Sequence, residues 1–354
     1  MKILFVCSAR VWGGNEKWTS MAISRLRKKN EVFLCYKDQN LSDKFGTNFC
    51  KFKAPFKSYT DIITFYKIFS FVKKHKIDII VSTKKKEYFI CGVVAKLIGI
   101  KNVLRLGSVR KLDKPVWHNI VYDKLNHGMI VNAHRIKQNL LKYNFMHSEK
   151  IKVIYNGILQ DKAAAAVKRN KKDDMFIITS SGRLTKPKGF HILIKAVSEL
   201  CEDTRKKVKV QIMGDGPYRA ALEKLAEENN ISQNVEFTGF VSDPQKIISA
   251  GDLFVLLSFN EGLSNSLLEA MINGIPVLTT DAGGVREFIQ HKKNGFITQS
   301  MKPFDIAGEL KNIIENRKES ANIGENGRKT VAKLFSMDKM ETEIENFLKK
   351  VTNA

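Results

Sequence analysis

Two successive series of short β-type segments, each alternating with helix-period segments, constrain the fold of this chain more than any other feature. The predicted strands lie at residues 2–7, 31–36, 77–82, 102–107, 128–133 and 152–157, and then at residues 175–183, 208–216, 235–240, 253–258, 275–280 and 295–298. Such alternation is typical of parallel sheets that are covered by helices on both faces. The sequence therefore predicts an α/β protein with two doubly wound, Rossmann-like domains, whose ligands bind at the carboxyl ends of the strands.

The two series also set the predicted domain boundaries. The first domain covers residues 1–160 and the second covers residues 175–335. Between them, residues 160–174 lack an apolar period and are predicted to form a linker, in which Ala163–Ala166 is compatible with a short helix. Residues 336–354 are predicted to form a C-terminal helix with one apolar stripe, and crossing back to the first domain is one option for it.

Composition excludes several classes of protein. Of the 354 residues, 43% are hydrophobic and 27% are charged, as in globular proteins. The five cysteines are scattered and include no Cys-x-x-Cys pair, which favours reduced thiols in a cytosolic compartment over a zinc site or a disulfide framework. The apolar run at the N-terminus is too short for a signal peptide, and no apolar stretch reaches spanning length. A cytoplasmic protein is expected.

The positive charge belongs to the first half of the chain. Residues 1–170 contain 34 Lys and Arg against 11 Asp and Glu, a net charge of +23, whereas residues 171–354 contain 26 against 25, a net charge of +1. Basic clusters lie at Arg25–Lys29, Lys73–Lys76, Lys84–Lys86 and Arg105–Lys114. The asymmetry favours an anionic partner, which could be nucleic acid, a membrane surface or a phosphorylated substrate. For any single cluster, a solvated lysine-rich face is an equally good explanation.

The stretch EGLSNSLLEAMINGIPVLTTDAGG places two glutamates around a polar turn. Glu261 follows the predicted strand 253–258, and a helix is predicted from Asn265 to Ile272. The amino end of that helix exposes backbone N–H groups, which suit an anion such as a diphosphate. Glu269 lies about one turn further on, where its carboxylate could accept hydrogen bonds from sugar hydroxyls. The alternative needs no ligand, because Ser266 and Glu269 also match a capping box.

Two cations follow the first strand of the second series. The loop SSGRLTKPKG carries Arg183 and Lys188 around a proline turn, so both can reach one site at the strand ends. Cations of this kind can hold a leaving diphosphate when no metal is available. The chain contains no Asp-x-Asp pair that would bind a metal–diphosphate complex, so no metal site is predicted.

Three further turns are candidate ligand contacts. Gly214 lies in a strand–turn–helix segment at residues 213–222, and Phe240 ends the strand 235–240 in a turn that could meet a flat base. Gly13 and Gly14 follow the first strand, where paired glycines allow a phosphate or sugar to approach the backbone. A tight turn explains the same glycines without a ligand.

These motifs together resemble the family-4, retaining, nucleotide-sugar-dependent glycosyltransferases of the GT-B architecture. The resemblance covers nearly the whole chain and is most specific from Gly182 to Glu287, where GRLTKPKG, GDGP, FTGFVSD and the two glutamates occur in family order and spacing. It implies two Rossmann-like domains that face each other across a cleft. The first domain would bind the acceptor and the second the nucleotide-sugar donor, with no further cofactor.

The resemblance also implies roles for individual residues. Arg183 and Lys188 would bind the donor diphosphate and Glu261 the donor sugar, and these three are the expected catalytic residues. Glu269 would bind the ribose, and the backbone near Phe240 the base. The remaining expected donor contacts are Gly13, Gly14, Gly214, Gly262, Leu263, Ser264 and Asn265.

The residues that would bind the acceptor are predicted less specifically than those that would bind the donor. Many family members carry a histidine at the end of the strand that here contains Arg105, and this arginine could bind an anionic acceptor or pair with a carboxylate. Lys84, Lys85 and Lys86 are candidate contacts for an anionic acceptor or an anionic membrane. In segment 60–76, Phe65, Phe69 and Val72 fall along one helical face and could add apolar contact with a membrane. The other apolar residues are spread around the helix, which favours burial under the sheet, so the lysines are the expected membrane contacts.

The expected function is transfer of a sugar from a UDP- or GDP-sugar to a cell-surface glycan precursor, such as a lipid-linked lipopolysaccharide or capsule intermediate, at the inner face of the cell membrane. One alternative is a related enzyme that processes a nucleotide sugar without a glycan acceptor. A nucleic-acid-binding protein would explain the basic first half. It would not explain Arg183, Lys188 and the two glutamates, and aromatic residues interleaved with basic ones are not evident.

Overall fold

The structure is a computed structural model that describes residues 1–158, 175–241 and 243–353. It divides into two compact units, one formed by Met1–Gly157 with Met337–Ala354 and the other by Ile158–Ser336. The predicted linker at residues 160–174, including Ala163–Ala166, lies outside the described residues.

The first unit contains a parallel sheet in the order β3-β2-β1-β4-β5-β6-β7. Its strands are β1 (Lys2–Cys7), β2 (Glu31–Tyr36), β3 (Lys51–Lys53), β4 (Ile79–Ser82), β5 (Lys101–Leu106), β6 (Gly128–Val131) and β7 (Ile151–Val153). The pattern did not predict β3, because this strand has only three residues, Lys-Phe-Lys, and no apolar run. It lies at the edge of the sheet, where charged residues are common.

Helices cover both faces of this sheet. They are α1 (Gly14–Leu26), α2 (Gln39–Ser42), α3 (Ile62–His75), α4 (Lys85–Ile98), α5 (Pro115–Asn119) and α6 (His134–Leu140), with a π-helical segment at Ile120–Lys124. Asp61 caps α3 by accepting a hydrogen bond from the backbone N–H of Thr64 at 3.3 Å. Strands β1 and β4 are neighbours, so the sheet reverses its winding between them, where ligands bind in doubly wound sheets.

The second unit repeats this plan with the order β10-β9-β8-β11-β12-β13. Its strands are β8 (Phe176–Ser181), β9 (Val208–Met213), β10 (Val235–Gly239), β11 (Leu253–Leu256), β12 (Val277–Thr280) and β13 (Phe296–Thr298). Its helices are α7 (Phe190–Ser198), α8 (Glu202–Arg205), α9 (Arg219–Glu228), α10 (Gln245–Ser249), α11 (Asn265–Ile272), α12 (Pro303–Glu315) and α13 (Arg317–Leu334). Here the winding reverses between β8 and β11, so the loops after these two strands are the candidate ligand loops.

The last helix, α14 (Met337–Asn353), belongs to the first unit. Its apolar stripe, including Ile344 and Leu348, is buried in the core on the α1 side of the first sheet. The sulfur of Met340 accepts a hydrogen bond from the backbone N–H of Gly157 at 3.0 Å, and Arg25 pairs with Asp338 at 2.9 Å. Because one face of α14 is buried, its apolar residues recur with helical spacing.

The predicted fold class is confirmed, since both sheets are parallel and both are covered by helices. No helix in the described part of the chain is long and apolar enough to cross a membrane. The five cysteines are free thiols, and Cys7, Cys35 and Cys91 are buried in the first unit.

Candidate functional site

The loops after β8 and β11 meet at the point where the second sheet reverses its winding. The ammonium group of Lys188 forms an ion pair with Oε1 of Glu261. The same oxygen accepts a hydrogen bond from Oγ of Ser258 at 3.0 Å, and the backbone N–H of Phe259 donates to the carbonyl of Pro187 at 2.9 Å. Two residues that the sequence motifs assigned to the same ligand are therefore in direct contact.

A glycine makes this close contact between the two loops possible. Gly189 ends the short 3₁₀ helix Lys186–Lys188 with a φ of +73°, in the left-handed region that favours glycine. A Cβ atom at this position would overlap the carbonyl group of Leu257, the residue that follows β11. The absence of a side chain at Gly189 therefore lets the backbone carrying Lys188 approach the segment that carries Glu261.

Gly214, which follows β9, packs against the loop that contains Arg183. Its φ is +134°, its N–H donates to the carbonyl of Gly239 at 2.7 Å, and a Cβ atom would overlap the carbonyl oxygen of Gly182. The N–H of Leu184 also donates to the carbonyl of Asp215 at 3.0 Å. These bonds hold the loop that contains Arg183 against the ends of β9 and β10.

We expect Gly214→Ala to destabilise the second unit. Left-handed backbone costs a residue with a Cβ atom roughly 1–2 kcal/mol, and the overlap with Gly182 adds to this cost. Urea unfolding followed by circular dichroism measures the loss. Gly308→Ala is the matched control, because a Cβ at Gly308 meets open space and alanine is favoured over glycine within a helix. Equal stability of Gly214→Ala and the wild type would contradict the proposed steric requirement.

Helix α11 begins at Asn265 and ends at Ile272, as the pattern predicts. The residue that precedes it, Ser264, is extended, and its side chain makes no capping hydrogen bond. Helix geometry leaves the first-turn N–H groups without intrahelical acceptors, so the turn Gly262–Asn265 presents donors at the amino end of the helix. These donors and the positive end of the helix dipole suit an anion.

The capping-box alternative for Ser266 and Glu269 is wrong. Ser266 lies inside α11 rather than at its cap, and its hydroxyl donates to the carbonyl of Ser181 at 3.3 Å. Glu269 is 3% exposed, so a ribose could contact its carboxylate only by reaching into the site. Its role in donor binding stays a prediction.

Arg183 and Phe240 lie at the edge of the same site. The side chain of Arg183 is exposed and forms no hydrogen bond or ion pair with other residues in the described part of the chain. Phe240 follows β10 and is 59% exposed. Arg183 follows Gly182, and Phe240 follows Gly239. Both of these glycines contact Gly214, so an accessible cation and an accessible aromatic ring come from adjoining loops.

The first unit has a second polar centre where its sheet reverses winding, between β1 and β4. Gly13 is extended with a φ of −156°, and α1 begins at Gly14. The side-chain amide of Asn15 donates to the carbonyl of Thr83 at 2.6 Å, and the buried carboxylate of Glu16 forms an ion pair with Lys84. The Gly13–Gly14 turn is therefore tied to the loop after β4, and its predicted contact with a donor stays a prediction.

The sequence motifs did not reveal the buried carboxylate of Glu87. One of its oxygens accepts a hydrogen bond from the N–H of Ser8, and the other accepts from the N–H groups of Thr83 at 2.6 Å and Lys84 at 2.8 Å. Burial raises the pKa of Glu87 to about 7, while the three backbone hydrogen bonds act in the opposite direction. Glu87 is the third residue of α4, where a glutamate is typical of a capping box, and this was the available signal.

The structure contradicts both alternatives for Arg105. The side chain is 1% exposed, so it cannot contact an acceptor directly. It forms no ion pair with a carboxylate of the described residues; instead it donates to the side-chain oxygens of Asn15 at 2.9 Å and Asn156 at 3.0 Å. Its guanidinium group lies 4.8 Å from the ring centre of Trp18. Burial lowers the pKa of Arg105 to about 10.

A basic pocket of about 720 Å³ opens beside this centre. Among the described residues, its lining contains five cations and no carboxylate and consists of Ser8, Ala9, Tyr59, Lys84, Lys85, Lys86, Ser108, Val109, Arg110 and Lys111. In the sequence these cations belong to two separate clusters. Because β4 and β5 are neighbours, the loops that follow them lie side by side and merge the clusters into one site.

The two units, each with a site where its parallel sheet reverses winding, define the GT-B class of fold. The crystal structure of Anabaena HepE in complex with UDP and glucose matches this chain with a TM-score of 0.86 at 21% identity, covering 99% of this chain and 100% of that one. At this identity the match bears on the fold alone.

Sequence comparison specifies the family. Residues 161–330 match the family described as glycosyl transferases group 1, and this segment belongs to it, which confirms the predicted resemblance. The chain is 32% identical over 176 residues to the lipopolysaccharide core biosynthesis glycosyltransferase LpsE of Rhizobium meliloti, covering 49% of this chain and 50% of that protein.

The chain is also similar, over a longer alignment, to the UDP-Gal:alpha-D-GlcNAc-diphosphoundecaprenol alpha-1,3-galactosyltransferase of Escherichia coli. The identity is 25% over 296 residues, which cover 78% of this chain and 76% of that protein. For several other curated relatives, the chain spans only about half to two thirds of their length.

Proposed function

We propose that this protein is a retaining glycosyltransferase that moves a sugar from a UDP- or GDP-sugar to a hydroxyl of a lipid-linked cell-surface glycan precursor. Lipopolysaccharide and capsule intermediates are the proposed acceptors, with the enzyme attached peripherally to the inner face of the cell membrane. The observation that carries the proposal is the Lys188–Glu261 ion pair, which lies beside Arg183 and shortly before the amino end of α11.

The charges at this site suit a departing nucleoside diphosphate. Arg183 is accessible and Lys188 is held in place by Glu261, so two cations and the first-turn amides of α11 are available to the phosphate oxygens. Preorganised positive charge lowers the barrier most where negative charge develops in the transition state. A carboxylate at Glu261 can in turn accept hydrogen bonds from the hydroxyls of the transferred sugar.

In the proposed reaction, the bond between the anomeric carbon and the phosphate oxygen breaks as the acceptor hydroxyl attacks from the same face. A new carbon–oxygen bond forms to the acceptor, and the hydroxyl proton passes to the departing phosphate oxygen. The side chains of Arg183 and Lys188 neutralise the leaving group. The reaction therefore needs no separate protein base, and we propose that it needs no divalent metal.

The relatives support the choice of substrates. HepE was crystallised with UDP and glucose, and the Escherichia coli relative is named for transfer to a diphosphoundecaprenol-linked sugar. A thermal-shift panel of UDP, GDP, their sugars, DNA and RNA tests the donor assignment. UDP or GDP should raise the melting temperature more than either nucleic acid. The reverse order would favour a nucleic-acid-binding protein, and products formed from the donor alone would favour an enzyme without a glycan acceptor.

We expect the two glutamates to respond differently to substitution. Glu269→Gln should weaken the binding of free UDP or GDP, because it removes a charged acceptor for the ribose hydroxyls. Glu261→Gln should spare the binding of free nucleotide and lower turnover, because the donor sugar and Lys188 lose their carboxylate partner. Hydrogen bonds to charged groups contribute roughly 1.5–3 kcal/mol, so about tenfold or more is expected in each case.

Isothermal titration with free nucleotide and steady-state kinetics with the full donor separate the two effects. Glu227→Gln is the matched control, since Glu227 is exposed on α9 and has no ion pair in the described ranges. Normal nucleotide binding by Glu269→Gln, together with a lower melting temperature, would assign Glu269 a structural role instead.

A further inference from the structure

An apolar strip lies directly beside the basic pocket of the first unit. It consists of Tyr59, Ile62, Ile63 and Tyr66, whose exposed fractions range from 41% for Tyr59 to 64% for Ile62. Tyr59 also lines the pocket, so the strip and the pocket share a border. Large apolar side chains that cluster on a surface mark sites of interaction with proteins or membranes.

Helix geometry places three residues of the strip together. Residues three and four apart lie on one face of a helix, so Ile62, Ile63 and Tyr66 form adjoining positions in the first turns of α3. The opposite face, with Ile68 and Val72, is buried in the core. The expected burial of segment 60–76 under the sheet is therefore correct for Ile68 and Val72 and wrong for its three residues in the strip.

Three of the five cations that line the pocket contact neighbouring residues of the first unit. The ammonium group of Lys86 donates to the carbonyl of Lys57 at 3.1 Å, and Arg110 donates to the hydroxyl of Tyr122 at 3.1 Å. Lys84 is paired with Glu16. The other four cations, Lys85, Lys86, Arg110 and Lys111, form no ion pair with a carboxylate in the described part of the chain.

We propose that the basic pocket binds the diphosphate of a lipid-linked acceptor while the apolar strip lies against the bilayer that carries the lipid. This inference rests on the proposed function and specifies its acceptor. The four unpaired cations match the several negative charges of a diphosphate, and about 720 Å³ leaves room for an attached sugar. A soluble phosphorylated glycan would account for the pocket and not for the exposed Ile62, Ile63 and Tyr66.

A flat anionic membrane surface accounts for these observations less well. Lys84 and Lys86 are turned toward protein partners, Glu16 and the Lys57 carbonyl, rather than extended into solvent. A single phosphorylated headgroup can contact the cations of both loops that line the pocket, the one after β4 and the one after β5. The flanking side chains Lys57 and Lys67 are exposed and can accompany the strip at the headgroup level.

Vesicle flotation tests the pocket. Phosphatidylcholine vesicles that carry a small fraction of undecaprenyl diphosphate should bind the full-length protein, and vesicles without it should bind far less. The double variant Lys85→Glu, Lys111→Glu should weaken this binding at least about tenfold, since each cation near an anionic lipid contributes measurably to attachment. The control is the double variant Lys28→Glu, Lys142→Glu, which makes the same change in net charge at exposed positions outside the pocket. It should bind the vesicles like the wild type.

A second pair of variants tests the strip. Ile62→Ser, Tyr66→Ser should weaken binding to the undecaprenyl diphosphate vesicles and leave the affinity for soluble inorganic pyrophosphate unchanged. Leu97→Ser, which alters a 64% exposed leucine on α4 outside the strip, is the control and should change neither. Unchanged vesicle binding by the strip variant would overturn the bilayer contact and favour a soluble acceptor.

Two further outcomes would overturn the proposal. The first is undiminished binding by Lys85→Glu, Lys111→Glu. The second is equally strong binding to phosphatidylglycerol vesicles that lack the diphosphate lipid, which would favour general membrane attraction. Thermal shifts with UDP and GDP keep this test separate from the proposed function. A protein that binds nucleotide but not the diphosphate lipid contradicts only the present inference, whereas a protein that binds neither nucleotide contradicts the proposed function.

Discussion

Replacing Lys188 by alanine is expected to lower kcat/KM for sugar transfer by roughly a hundredfold or more. Loss of one preorganised partner of a developing negative charge typically costs this much. Lys188 also pairs with Glu261, so its removal leaves that carboxylate without its cation. Arg183→Ala removes the second expected phosphate contact and should have an effect of similar size. Steady-state kinetics with the donor sugar and acceptor measure both.

A matched control and a double variant sharpen this prediction. Lys195→Ala removes an exposed cation from α7 in the same unit and should retain wild-type activity. The double variant Lys188→Ala, Glu261→Gln should lose less than the product of the single losses, because residues in contact are not independent. Full activity of Lys188→Ala, or an EDTA-induced loss that Mg²⁺ restores, would contradict a leaving group held by cations alone.

Replacing Glu87 by alanine is expected to destabilise the first unit by several kcal/mol. The carboxylate accepts hydrogen bonds from the backbone N–H groups of Ser8, Thr83 and Lys84, and each buried donor left unsatisfied costs about 1–3 kcal/mol. The three tryptophans, Trp12, Trp18 and Trp117, all lie in this unit, so tryptophan fluorescence during urea unfolding reports on it selectively. Glu309→Ala, in α12 of the second unit, should leave that transition unchanged.

The stability of the first unit should also depend on pH through Glu87. Burial raises the pKa of this carboxyl from 4.5 to about 7, so the folded chain keeps its proton at pH values where the unfolded chain has lost it. The contribution to stability is therefore fully present below about pH 4.5, declines as pH rises to about 7, and is constant above. Glu87→Gln should remove this slope, and an identical slope in the variant would rule out Glu87 as its origin.

Sequence alone determined the features that depend on local pattern. The alternation of apolar runs and helix-period segments predicted two parallel sheets, because strands and helices bury their side chains with different periods. The helix predicted from Asn265 to Ile272, after a polar turn, was correct, since a helix begins and ends where its local signals change. The short strand Lys51–Lys53 was not predicted, because three residues carry too little periodicity to distinguish a strand from a loop.

Tertiary structure alone decided which distant residues meet. Lys188 and Glu261 are far apart in the chain, and they touch because β8 and β11 are neighbours and Gly189 permits close approach. Strand order likewise merged Lys84–Lys86 with Arg110 and Lys111 into one pocket. Arg105 had two plausible roles in the sequence, and its burial against Asn15, Asn156 and Trp18 excluded both. Such contacts depend on sheet topology and packing, which local periodicity does not encode.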